Sequence, residues 1–493
     1  MPSSQDRHAI VIGAGISGLA ATLALRRRGW RVTLLERDAA VGGTDGGDAF
    51  LTWDRRGVSQ IRHSHAFLGR LRMVLRDRYP DLLTALLAAG VREYRLIEVP
   101  PLTLGVVPPE PGDDDLVVLG CRRTTFEWVV RQTVLADSTL TLVPGATVEA
   151  LIAEPGDPPR VTGVRYRTSA GSVSLAADVV VDASGRRSAC VDWLAAIGAR
   201  APEETHESSG IVYYTRYYRL RAGAAEPPRS EHPTAEDWNW VKYAVFPADD
   251  RTFSVTLATP LAFPAMKILA QPAAFDEMVR HIPGLAPWLV LGEPLVAQER
   301  GVQAMGGLVN RLRRFVDARG PLVLGFHVLG DAAYCTNPLY GRGCTQGFLH
   351  AELLGDALDA HPSHPAAVAK ALDDGSRAQI EPFYRASVLA DREALRKAEG
   401  RPHRRRASRW RERFFEHGIL IGTRCDPVIF RAFVRMMNMI ETPEQAFGRP
   451  AVVWRAVRVM ARGRRRNARY YPQQPPEFTA TLARLESATT AAA

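Results

Sequence analysis

The chain has 493 residues, 46% of them hydrophobic, and a formal net charge of +10; this suits a large globular protein of two or three domains, or one interleaved assembly, and excludes a disordered or fibrous chain. No apolar run approaches the roughly 18 residues that a spanning helix needs, and the start MPSSQDRHAIVIGAG lacks a basic segment and a signal-type cleavage site. The five cysteines, at 121, 190, 335, 344 and 425, include no CxxC pair, so the expectation is a cytoplasmic protein with reduced thiols and no zinc site.

HAIVIGAGISGLAATLALRRRGWRVTLLER, from His8 to Arg37, predicts a strand, a GxGxxG turn at Gly13, Gly15 and Gly18, a helix and a second strand. Glu36 follows the first glycine by 23 residues. This is the βαβ pattern of dinucleotide binding: glycines for a tight turn and close packing, a helix N-terminus for a pyrophosphate, and an acid for a ribose diol. The same unit makes Ile16, Ser17 and Arg37 candidate cofactor contacts. Further on, AADVVVDASGRRSACVDWL predicts an apolar strand running into Asp182, then a turn at Gly185.

GIVYYTRYYRL from Gly210, VKYAVFPA and RTFSVTLAT read as strands rich in aromatic and β-branched residues, the last two as a hairpin. They form the expected substrate sheet, with Tyr213, Tyr214 and Arg216 as candidate substrate contacts. GDAAYCTNPLYGRGCTQG, Gly330 to Gly347, has five glycines between an apolar run and a helical pattern. Three glycine-punctuated strand ends spread over more than 300 residues fit pieces of chain converging on one long cofactor, and favour FAD over NAD.

The N-terminal GxGxxG with Glu36, DVVVDASGRRS and GDAAYCTNPLYGRG together resemble the flavoprotein monooxygenases of the para-hydroxybenzoate hydroxylase fold. GVSQIRHSHAFLGRL from Gly57, CRRTTFEWVVRQ and DASGRRSACVDWLAAIGA are similar to the polyene epoxidases of polyether biosynthesis within that group. The resemblance covers most of residues 8–360. It implies that Asp331 holds the ribityl chain, that Pro338, Gly341 and Gly343 line the isoalloxazine, and that Arg62 and Arg123 lie near the FAD phosphates or the flavin; Asp182, Gly185, Gly330 and Cys344 are further candidate cofactor contacts. It further implies insertion of one oxygen atom from O2 into an apolar, natural-product-like substrate, by epoxidation or hydroxylation through a flavin C4a-hydroperoxide; Cys335 and Cys344 could tether a flavin, but buried cysteines are usually inert packing, so the expectation is noncovalent FAD. No side chain need act as a nucleophile.

Two departures matter. Ser184 stands where hydroxylases of this fold carry an aspartate, and no second GxGxxG marks an NADPH domain; either NAD(P)H docks transiently or a separate flavin reductase supplies electrons. A prenyl-chain reductase or cyclase of the same superfamily remains an alternative, as does a flavin halogenase, for which WNW at Trp238–Trp240 is a partial match. The chain has no lysine before Lys242, so the halogenase lysine is missing. His63 and His65 lack partners at metal-ligand spacing, and no metal is expected.

The implied fold class is α/β: a Rossmann-like FAD-binding domain with a glutathione-reductase-type βαβ unit, interleaved with an antiparallel-sheet substrate domain and followed by a C-terminal helical region. The expected boundaries are about 1–90, 121–205 and 320–375 for FAD, 91–120 and 206–319 for substrate, and 376–493 for the helical part. That last part holds the positive charge, with seven arginines in 401–413 and seven in 455–469. No nucleic-acid signature accompanies them, though a basic binding module is the runner-up from another class. PAVVWRAVRVMARGRRR reads as an amphipathic helix that covers the pocket, packs conventionally or makes weak contact with a membrane surface.

Overall fold

The computed structural model describes residues 7–38, 42–55, 57–295, 301–402, 406–472 and 475–492. Part of the first arginine run, 403–405, lies outside them. A five-stranded parallel sheet is ordered Phe326–Val328, Val179–Asp182, His8–Ile12, Arg31–Glu36, Thr141–Pro144. Its three inner strands are buried almost throughout because both faces are covered, whereas the edge strand Thr141–Pro144 is partly exposed. Ala9 and Val11 pack with the helices Ile16–Arg26, Arg123–Leu135 and Gly343–Ala360, whereas Ile10 and Ile12 face an antiparallel meander of Thr147–Glu154, Arg160–Thr168 and Gly171–Ala176.

A second, antiparallel sheet runs Ala235–Asp237, Lys242–Pro247, Thr252–Pro260, Ile211–Leu220, Gly292–Pro294, with Gln303–Met305 also paired to Ile211–Leu220. Side-chain alternation divides it sharply. Tyr214, Tyr218, Tyr243, Phe253, Val255 and Leu257 form a core with the helix Pro272–Arg280 and with Leu485 of the helix Phe478–Ala492. Tyr213, Thr215, Thr256 and Ala258 face the nucleotide sheet across a cleft. A ribbon of Glu203–Ser208 paired with Val309–Arg314 joins the two halves.

A buried ion pair fixes the halves together. Asp249, in the hairpin turn of the second sheet, accepts from Arg122 Nε at 3.0 Å, Arg122 Nη2 at 2.6 Å and Thr125 Oγ1 at 2.7 Å, at the start of the helix Arg123–Leu135. The C-terminal helices Pro427–Met437, Pro443–Phe447 and Pro450–Ala461 have a small core of their own. Phe430 and Val434 dock it on Val107 and Leu116.

Candidate cofactor and substrate cleft

A cleft of about 420 Å³ runs from the carboxyl ends of the parallel strands to the open face of the antiparallel sheet. At its nucleotide end the three glycines of GxGxxG do different work. Gly13 has φ +95°, where other residues are strained, and Gly18 lets helix and turn close up, since a Cβ there would lie 1.8 Å from Gly13 O. Gly15 borders the cleft, and a Cβ on it would meet nothing within 4 Å. Any side chain at Gly15 would therefore project into open space beside the start of the helix Ile16–Arg26, which carries no side-chain cap. A bare backbone with free N–H groups is what an anionic pyrophosphate requires.

Glu36 ends the second strand, buried, with Oε2 accepting from Ala14 N at 2.8 Å and Oε1 from Asp38 N at 2.9 Å. Arg55 reaches it at 3.3 Å and also approaches Glu127 at 3.4 Å. Glu127 in turn pairs with Arg123 at 2.9 Å. This arginine–carboxylate chain brings charge to the cleft wall without leaving a carboxylate uncompensated.

At the other end, Gly330 and Gly347 flank Ser17: Cβ atoms on them would lie 2.1 and 2.7 Å from Ser17 Oγ. The glycine-rich segment can thus lie directly on the first helix. Asp331 lines the cleft and accepts from Arg186 Nε at 3.2 Å. The turn Pro338–Tyr340 ends in Gly341 at φ +64°, and the helix Gly343–Ala360 begins beside it. Cys344 is buried next to Arg123, whose Nη1 lies 2.9 Å from its sulfur, and burial pushes the thiol pKa up.

The opposite wall is the polar-and-apolar face of the second sheet. Lys242, Ala258 and Tyr213 form one cross-strand row, and Ala244, Thr256 and Thr215 the next. A ladder of hydroxyls crosses it: His63 Nδ1 to Thr215 Oγ1 at 2.9 Å, Thr215 to Thr256 at 2.8 Å, Thr256 to Ser64 at 2.7 Å and Ser64 to Ser254 at 2.7 Å. Burial, helped by the positive Arg186, lowers the His63 pKa to about 4, so its imidazole is neutral at pH 7. The Lys242 ammonium is engaged by Asp237. Tyr213 donates to Asn337 Oδ1, tying this wall to the glycine-rich turn.

Of the residues singled out in sequence, Gly13, Gly15, Ile16, Ser17, Glu36, Arg37, Arg123, Gly185, Asp331, Pro338, Gly341, Gly343, Cys344 and Tyr213 line this one cleft. Others stand elsewhere. Arg62 donates to Phe50 O at 2.7 Å and Trp53 O at 3.1 Å, closing the end of a short helix; Arg55 is the arginine at the nucleotide end. Asp182 is fully buried and spent on its own turn, accepting from Ser184 N at 2.9 Å and from Ser188 Oγ. Gly18 and Gly330 act through packing. Tyr214 and Arg216 lie on the far face of their strand, Arg216 paired with Asp276 at 3.1 Å under the helix Pro272–Arg280, so they do not face the cleft. Trp238 and Trp240 are core residues of the same side. Arg55, Thr215, Thr256, Phe246 and Met305 also line the cleft without a motif to mark them in sequence; strand parity, once Tyr213 is placed, points to Thr215 alone.

A parallel sheet with a glycine cradle at its carboxyl edge, interleaved with an antiparallel sheet across one cleft, defines a dinucleotide-dependent enzyme of the interleaved two-domain type. Residues 9–253 match the family model of FAD dependent oxidoreductases. The chain is 29% identical over 385 residues to protein Rv3254 of Mycobacterium tuberculosis, covering 72% of this chain and 74% of that one. It is 27% identical over 426 residues to the kynurenine 3-monooxygenase of Salinispora arenicola, covering 78% and 83%. Among solved structures, PqsL of Pseudomonas aeruginosa, a probable FAD-dependent monooxygenase, aligns with a TM-score of 0.57 at 18% identity over 80% of this chain and 100% of that one. The myxobacterial halogenase CndH aligns at 0.59 and 16% over 92% and 97%; at such identities both speak to fold alone. The chain is an FAD-dependent oxidoreductase of the monooxygenase type, and FAD is its cofactor.

Proposed function

We propose that the protein transfers one oxygen atom from O2 to an apolar, natural-product-like substrate held between the glycine-rich turn 337–343 and the open face of the antiparallel sheet. The carrying observation is the continuity of the cleft from Glu36 to Tyr213 and Thr215. Bound FAD would supply the reduction of O2 and the electrophilic oxygen. Gly13, Gly15 and Gly18 would shape the pyrophosphate site, Glu36 would accept from the adenosine ribose, and Asp331 from the ribityl chain. Attachment is noncovalent in this reading, because a buried Cys344 with a raised pKa stays a thiol.

The wall residues supply confinement. Phe246, Met305 and Leu339 present apolar surface, which keeps water from the reacting atoms. The hydroxyl ladder from His63 to Ser254 holds protons at Thr215 Oγ1 and Thr256 Oγ1 beside the substrate space, so proton exchange need not go through bulk water. Electrons come from NAD(P)H docking transiently or from a partner flavin reductase. The halogenase reading is weaker, because Lys242, the first lysine of the chain, lies in the cleft wall with its ammonium held by Asp237 rather than free.

The test is to incubate the reduced holoenzyme with a panel of polyenes and polycyclic aromatics under ¹⁸O₂. One labelled oxygen in a product supports the proposal. Products that are reduced or cyclised without label would replace it with the reductase or cyclase reading, and a halide-dependent product would replace it with halogenation.

A further inference from the structure

The helix Pro450–Ala461 takes no part in the cleft. Val452, Ala456 and Val459 bury it against Phe414–Leu420 and Pro427–Met437, and Gly418 allows the approach, since a Cβ there would lie 3.0 Å from Ala456 O. None of its residues borders the cleft, so it does not cover the pocket. Its outer side is unusual for a basic helix. Trp454 is 59% exposed and Val457 39%, and the Arg458 guanidinium sits 5.4 Å over the Trp454 ring.

Beyond it the chain continues through exposed Arg462, Arg464, Arg465, Arg466 and Arg469. Neighbouring Arg449 and Arg455 are neutralised by Glu441 and Asp426. Among the described residues, none of the six arginines from Arg458 to Arg469 has a carboxylate within ion-pair distance. Arg458, Arg464 and Arg469 rest on the rings of Trp454, Tyr471 and Tyr470, but no carboxylate offsets the self-repulsion of this one-sign cluster.

An exposed tryptophan and valine bordered by arginines without carboxylate partners match the demands of an anionic lipid interface: apolar side chains at headgroup depth and cations among phosphates. A nucleic-acid groove would use arginine and aromatic stacking as well, but has no use for an adjacent exposed valine. We propose that this face docks the protein peripherally on an anionic membrane surface, with Trp454 and Val457 entering the headgroup layer. No described helix is long and apolar enough to cross a bilayer, so the attachment is reversible. Docking stands on the surface alone and does not depend on the oxygenase reading.

The experiment is co-sedimentation of the full-length holoenzyme with vesicles of phosphatidylcholine alone and of phosphatidylcholine mixed with phosphatidylglycerol. Binding should appear only with the anionic lipid and disappear in high salt. Replacing Arg462, Arg464, Arg465 and Arg466 together by Gln should weaken it roughly a hundredfold or more, and Trp454→Ala should weaken it about tenfold. All five side chains are exposed, so flavin absorbance and melting temperature should not change. Equal binding to both vesicles, no binding to either, or unchanged binding of the quadruple variant overturns the proposal. So does affinity for a duplex oligonucleotide without vesicle binding, which would assign the face to nucleic acid. Any of these results with intact flavin leaves the proposed oxygenase untouched.

Discussion

Ser17 occupies a notch between Gly330 and Gly347, two residues of a segment more than 300 positions away in sequence, and a methyl group at Gly330 would lie 2.1 Å from its hydroxyl. Gly330 also has φ +59°. Gly330→Ala therefore combines a clash with a strained backbone, together on the order of 1–3 kcal/mol. The first helix and the glycine-rich turn would separate, and flavin retention on gel filtration, read as the ratio of flavin to protein absorbance, should fall at least about tenfold. Full retention would show that the interlock is dispensable.

Gly15→Val and Gly18→Ala should separate binding from folding. The valine enters open cleft, so the apoprotein should keep the melting temperature of the parent apoprotein while losing FAD. The alanine meets Gly13 O and should lower stability by about 1–3 kcal/mol. Denaturant unfolding of both apoproteins, set beside their flavin content, distinguishes the two; a Gly15→Val protein that stays yellow would remove the cradle from the cofactor site.

Arg122→Ala leaves Asp249 buried with its backbone and Thr125 contacts but without its cation. Loss of one partner of such a pair costs about 3–5 kcal/mol, which should appear in equilibrium unfolding. The joint variant Arg122→Met with Asp249→Leu should recover much of that loss. If the single variant matches the parent, the pair is not what holds the two sheets together.

Three buried histidines and the half-buried His65 give the protein an acid limit. His63, His327 and His350 have pKa values lowered to about 4, and His65 to about 3, chiefly by burial. Because the folded values lie below the unfolded value of about 6.5, the unfolded chain binds protons first. Their stabilising effect is complete above pH 6.5 and declines as pH falls from there toward 4, with a slope of roughly 1.4 kcal/mol per pH unit for each histidine. His327→Leu should flatten that decline by close to one proton, measured as the slope of unfolding free energy between pH 6 and 4.5.

The cofactor half of the fold was legible because its constraints are local: a positive φ at Gly13 or Gly341 admits few residues, and the strand and helix patterns around them are strong. The substrate half was less so. GIVYYTRYYRL carries tyrosines on both faces, so its alternation has no polar side to mark, and only the pairing with Thr252–Pro260 shows that Tyr213 faces the cleft and Tyr214 the core. Arg55 is unmarked for a similar reason, since nothing near it in sequence reveals that Glu36 and Glu127 converge on it. Its partners are 19 and 72 residues away.

The interlock of Ser17 with Gly330 and Gly347 also sets an order of events in the cell. The central strand His8–Ile12 leaves the ribosome early, but its neighbour's partner Phe326–Val328 and the helix Gly343–Ala360 emerge more than 300 residues later, roughly 15–60 s at ordinary elongation rates. Until then one edge of the sheet is open, and the helix Ile16–Arg26 lacks the partner Gly343–Ala360 that completes its apolar cover. Nascent chains are thus exposed to chaperones and proteases for most of their synthesis. The supply of FAD can influence yield only near the end of translation, so riboflavin starvation should deplete this protein by degradation of finished apoprotein rather than by stalling its early folding.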